Sequence, residues 1–73
     1  MRQLMIKVGT ITYSIWQSAN VYAVFENDIE IFKLKATVGK NLVFFWETVE
    51  GITSQLISKI GLAIELYDLN RFL

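Results

Sequence analysis

The 73-residue chain contains no cysteine, no histidine and no proline. The missing thiols and imidazoles exclude disulfides, thiol nucleophiles, imidazole bases and every zinc site built on His or Cys. They also leave the redox compartment undetermined. The four glycines are isolated, so no Gly-rich loop is available to cradle a phosphate. Excess charge of either sign is missing too: seven Lys plus Arg balance seven Asp plus Glu. Zero net charge argues against a simple electrostatic nucleic-acid binder. Charged residues make up only 19% of the chain, below the roughly 25% usual for globular domains.

What is present is apolar. Hydrophobic residues reach 53% and the mean hydropathy is +0.41. A chain of this length forms one domain, here residues 1–73, and such a domain buries only about 60% of the surface its unfolded chain exposes. With few charges to cover the remainder, apolar area is expected on the outside, where it marks an interface. A small fold without disulfide or metal staples commonly relies on association, so a homodimer is expected.

An uncharged run from Val8 to Phe25 is long enough to span a bilayer by the usual criterion of about 18 residues. It contains Gly9, Thr10, Thr12, Ser14, Gln17, Ser18 and Asn20, and its polar positions largely alternate with apolar ones, which suits a strand. The same polarity rules it out as a signal-peptide core, although Val21-Tyr22-Ala23 loosely resembles a cleavage site. The expectation is a cytoplasmic protein without a membrane segment.

The first two-thirds of the chain, rich in β-branched and aromatic residues, predicts four strands: about Leu4–Tyr13, Asn20–Glu26, Ile29–Val38 and Leu42–Val49. Gly9 predicts a bulge inside the first. Asn27-Asp28 and Gly39-Lys40 read as two-residue hairpin turns. Such turns pair Val21 with Leu34, Ala23 with Phe32, Leu34 with Phe45 and Ala36 with Val43. One face then collects Val21, Ala23, Phe25, Phe32, Leu34, Ala36, Val43 and Phe45, which is the expected core. The other face carries Tyr22, Val24, Ile31, Lys33, Lys35, Leu42, Phe44 and Trp46, with Tyr22, Lys33 and Trp46 in one row across three strands. Aromatics interleaved with lysines suit a protein partner, or stacked bases with bound phosphates.

From about Ile52 to Leu69 the spacing turns helical. Ile52, Leu56, Ile60, Ala63, Ile64 and Tyr67 form the stripe expected to cover the sheet, with Ile57 at its margin. Ser54, Ser58, Gly61, Glu65 and Asp68 gather on the opposite arc. Gly51 or Thr53 is the expected cap and Asn70 the stop. A second stripe of Leu62, Leu66 and Leu69, followed by Phe72 and Leu73, predicts either self-association or cover by the first strand or the 14–19 loop.

Little chemistry remains. Glu30 and Glu47 are expected near one another at one end of the core face, where they read as solvated strand-end groups. Glu26, Asp28 and Glu30 match no calcium loop. The sequence thus predicts an α+β domain, a four-stranded antiparallel meander with one C-terminal helix on one face. An intertwined dimer that exchanges the first strand is the architectural alternative. The expected function is a non-catalytic interaction protein that binds no cofactor and no metal: a regulatory subunit, an assembly factor or a phage-encoded inhibitor. The alternative is a single-strand nucleic-acid binder using Tyr22, Lys33, Lys35, Phe44 and Trp46, with Lys40 at the turn. Four strands followed by a helix resembles the order found in Whirly-like and PUR-like single-strand binders, although neither family's motifs are present.

Overall fold

The computed structural model describes residues 1–42 and 44–70; Val43, Phe72 and Leu73 lie outside the described residues. Five strands follow one another in space as they do in sequence: β1 (Arg2–Val8), β2 (Ile11–Ser18), β3 (Val21–Glu26), β4 (Ile29–Val38) and β5 (Phe44–Thr48). All neighbours are antiparallel. A single helix, α1 (Gln55–Asn70), then packs across one face. The architecture is α+β as expected, with one strand more than the sequence reading gave.

The extra strand arises at Gly9. Instead of bulging one long strand, Gly9-Thr10 forms a two-residue hairpin turn closed by Val8 and Ile11, with Gly9 at φ +64°. The 14–19 segment, expected as a loop, is mostly the second half of β2, and Ala19-Asn20 is the next tight turn, with Ala19 at φ 54°. Asn27 and Asp28 both take positive φ, as a type I′ turn requires. Near this turn the expected register holds, with Glu26 opposite Ile29 and Phe25 opposite Glu30.

Beyond that point the register changes twice. Ile31 is an extra residue in β4, so Val24 faces Phe32 and Tyr22 faces Leu34. The bulge brings Tyr22 and Val24 onto the face of Leu34, whereas the expected pairing put Val21 and Ala23 there. The Gly39-Lys40 turn also does not form. After Val38 the chain instead takes a 3-10 turn over Lys40–Leu42, with Asn41 at φ 65°, before β5 begins at Phe44. Ala36 therefore faces Trp46 and Leu34 faces Thr48, three residues from the expected pairing. This register turns the indole of Trp46 into the core and Phe45 away from it.

The core forms between the sheet and α1. Leu4 and Ile6 of β1, Tyr13 and Ile15 of β2, Val24, Leu34 and Trp46 meet Ile57, Ile60 and Ile64 of the helix. The buried helix stripe is Ile57, Ile60, Gly61 and Ile64, while Leu56 and Tyr67 of the expected stripe stay partly exposed. Ser54 caps α1: its Oγ accepts a hydrogen bond from the Ile57 amide at 3.2 Å, and its carbonyl accepts from Ser58 at 3.0 Å. Gly51, expected as a cap, serves instead in the turn after β5 at φ +93°.

Gly61, placed on the polar arc by its spacing, is buried against Trp46. A Cβ there would lie 2.1 Å from the indole Cγ. Only a residue without a side chain lets the helix rest on the ring at this distance. The helix lies close to both edge strands, β1 and β5, as well as to β4, so the sheet curls around it.

Candidate functional site

The register separates the residues expected to form one partner face. Tyr22 and Trp46 lie on the helix side, with ring centroids 5.1 Å apart in an edge-to-face arrangement, and Trp46 is only 7% exposed. Lys33 and Lys35 lie on the outer face of the sheet. Lys33 Nζ is 3.3 Å from a Glu30 carboxylate oxygen, and Lys35 Nζ is 3.7 Å from Glu47 Oε1. The row of Tyr22, Lys33 and Trp46 is therefore not formed. Phe44 shares the helix side with Trp46 but sits at the open end of β5, well exposed. Lys40 lies in the β4–β5 connection.

The carboxylates are also placed differently. Glu47 accepts from Thr37 Oγ1 at 2.9 Å and stands opposite Lys35, five residues along β4 from Glu30. Both glutamates are on the outer face, so they do not meet at the end of the core. Among the described residues, no group of three or more carboxylates gathers closely enough to hold a metal ion.

A polar cluster ties the two ends of the fold together on the helix side. Arg2 donates to both carboxylate oxygens of Asp68, at 2.6 and 3.3 Å, and through Nε to Gln17 at 2.8 Å. The hydrogen bond to Asp68 holds the guanidinium pKa above its ordinary value against the opposing effect of burial. Burial raises the pKa of the nearby Tyr22 hydroxyl, and the Asp68 charge adds to this while Arg2 opposes it. Burial likewise raises Tyr13, helped by the charge of Glu26. These interactions join β1 to the last turn of α1, and the cluster contains no buried nucleophile.

What the molecule leaves open is apolar surface. Leu62, Leu66 and Leu69 are 54%, 49% and 56% exposed and form a ridge on the outer side of α1, as the second stripe predicts. Its expected continuation at Phe72 lies outside the described residues. Two grooves flank the helix. One, of about 240 Å³, runs between α1 and β5 and is lined by Phe44, Phe45, Trp46, Ser58, Leu62 and Glu65. Within its lining, the Trp46 indole nitrogen is buried without an acceptor. The other, of about 260 Å³, runs between α1 and β1, along Met5, Ile6, Lys7, Ala63, Leu66 and Tyr67.

The outer face of the sheet has its own apolar patch, with Trp16 of β2 diagonal to Met5 of β1 and Phe25 of β3, which stand on either side of Ser14. The sequence reading missed Met5 and Trp16 as surface residues because it treated β1 and β2 as one strand and a loop. No helix among the described residues is long and apolar enough to cross a membrane. No protein-family model matches the chain, and neither a curated protein nor a solved structure is significantly similar to it.

Proposed function

We propose that this protein is a non-catalytic interaction module that acts as a homo-oligomer and presents a second apolar surface to another protein, as an inhibitor or regulatory subunit does. The observation that carries the reading is the exposed leucine ridge of α1. A helix resting on one sheet needs a single apolar stripe, yet α1 carries a second one pointing away from the core. Apolar surface of this kind on a small domain is characteristic of an interface. The outer-face patch around Trp16 is a separate apolar surface, so contacts with a second copy and with another protein do not have to share one site.

Absolute mass by light scattering across a dilution series tests the proposal. The expected result is a dimer that dissociates only on dilution. A monodisperse monomer at every concentration overturns it.

A further inference from the structure

The two edges of the sheet are finished differently. In β5, Val49 donates to the Lys33 carbonyl, so residues 45, 47 and 49 bond to β4 while the backbones of Phe44, Trp46 and Thr48 point outward. The turn after β5 already uses those of Thr48: its amide donates to the Ile52 carbonyl at 2.8 Å, and its carbonyl accepts from Gly51 at 2.8 Å. That edge is short and partly closed. β1 has no such closure. Its hairpin turn makes Val8 and Ile11 a hydrogen-bonded pair, so Arg2, Leu4, Ile6 and Val8 bond to β2. The amides and carbonyls of Gln3, Met5 and Lys7 point outward from a seven-residue strand without a bulge. Edge strands left long and regular are templates for another strand, and a lone Lys7 is the only charge facing out here.

Building on the self-association proposed above, we infer that β1 is the dimerisation edge and that its occupant is β1 of a second copy. A two-fold axis normal to the sheet sets Met5 opposite Met5 of the second copy and Gln3 opposite Lys7, in the antiparallel sense. Each of these three facing pairs exchanges two main-chain hydrogen bonds, six in all. The arrangement is self-complementary in charge as well as in direction. No like charges face each other across the axis, since each Lys7 stands opposite the neutral Gln3 of the second copy. The added strand also runs beside the groove lined by Ala63, Leu66 and Tyr67, and Met5, 57% exposed in the monomer, is covered. The product is a continuous ten-stranded sheet, five strands from each copy, with both helices on the same side.

Substitutions at Met5 test the register. Met5→Pro removes an outward amide and takes no bond from the β1–β2 ladder. Met5→Lys and Met5→Glu each set like charges opposite one another across the axis. The expected result by light scattering is a wild-type dimer, a Met5→Pro monomer, and a loss of self-affinity of tenfold or more in each charged variant. Mixing the lysine and glutamate variants should restore a one-to-one dimer, which also serves if the proline variant does not fold. If the Met5 variants remain dimeric while Leu62→Lys becomes monomeric, the helix ridge is the interface and the β1 assignment is overturned, although self-association stands. A wild-type chain that stays monomeric up to about 1 mM overturns both.

Discussion

In a Gly61→Ala variant the new Cβ would stand 2.1 Å from Cγ, 2.3 Å from Cδ1 and 2.5 Å from Cδ2 of Trp46. Carbon atoms in contact sit about 3.5–4.0 Å apart, so relief requires a displacement of roughly 1.5 Å. If the helix lifts, gaps open above the sheet under Ile57, Ile60 and Ile64, all essentially inaccessible in the native fold. A gap of about 0.5–1 Å already forfeits a quarter to a half of a van der Waals well. If the indole swings out instead, a core aromatic is lost. Alanine's better helix propensity returns about 1 kcal/mol, against overpacking costs of about 1–3 kcal/mol or more. An overlap this deep puts the cost at the top of that range, so the net expectation is a loss of about 2 kcal/mol from a domain whose whole stability is about 4–11 kcal/mol. Urea unfolding followed by circular dichroism measures it, and the melting temperature should fall by roughly 8–16 °C. The decisive comparison is a double-mutant cycle. In a Trp46→Ala background the ring is absent, and Gly61→Ala should become stabilising by about 1 kcal/mol, its propensity value. A native-background variant as stable as the wild type, or an equal loss in both backgrounds, would refute the contact.

Three further outcomes are expected. Ser54→Ala removes the acceptor of the Ile57 amide and should cost about 1 kcal/mol, while Ser54→Asp keeps the cap and should hold the urea midpoint near the native one. Asp28→Gly, at φ 65° in the type I′ turn, should raise the unfolding free energy by about 1 kcal/mol and shift the urea midpoint upward, because glycine adopts this conformation without a Cβ penalty. Tyr13 and Tyr22 both ionise above the ordinary tyrosine value in the fold. The native chain therefore holds protons that the unfolded chain has lost, so stability is full below about pH 10 and declines as pH rises through the folded values. Urea midpoints from about pH 9 upward should show the decline, Tyr13→Phe should flatten it, and a midpoint rising with pH in that range would contradict it.

Much of the sheet is legible in the parity of its apolar positions. Side chains on one face recur every second residue, and a two-residue turn reverses the parity. The buried positions are even in β1 (Leu4, Ile6), odd in β2 (Tyr13, Ile15) and even again in β3 (Val24). Each reversal falls on a tight turn, Gly9-Thr10 and then Ala19-Asn20. Following that reversal gives five strands; reading Gly9 as a bulge gives four. The bulge at Ile31 and the 3-10 turn over Lys40–Leu42 have no comparable local mark. Both are set by burial: they place Tyr22, Val24, Leu34 and Trp46 on the side that α1 covers. A strong local turn signal at Gly39-Lys40 yields because the other register would leave an indole outside. The same dependence hid the site. Spacing alone puts Gly61 among polar residues, and only its contact with Trp46 explains it. The ridge of Leu62, Leu66 and Leu69 needed no tertiary information, since helical spacing alone separates it from the core stripe.

The order of the sheet has a kinetic consequence. Every strand pairs only with its neighbour in sequence, so each step of the meander closes a short loop at small entropic cost. The seating of α1 against β1 is different, because it joins residues more than sixty positions apart, as Arg2 and Asp68 do. That closure is expected to be the slowest to be reached and the first to be released. Truncating Leu4 or Ile64 should therefore hasten unfolding far more than it slows refolding, whereas weakening the Asn27-Asp28 hairpin should do the reverse. On this expectation the helix is a late clasp on a sheet built from local pairings.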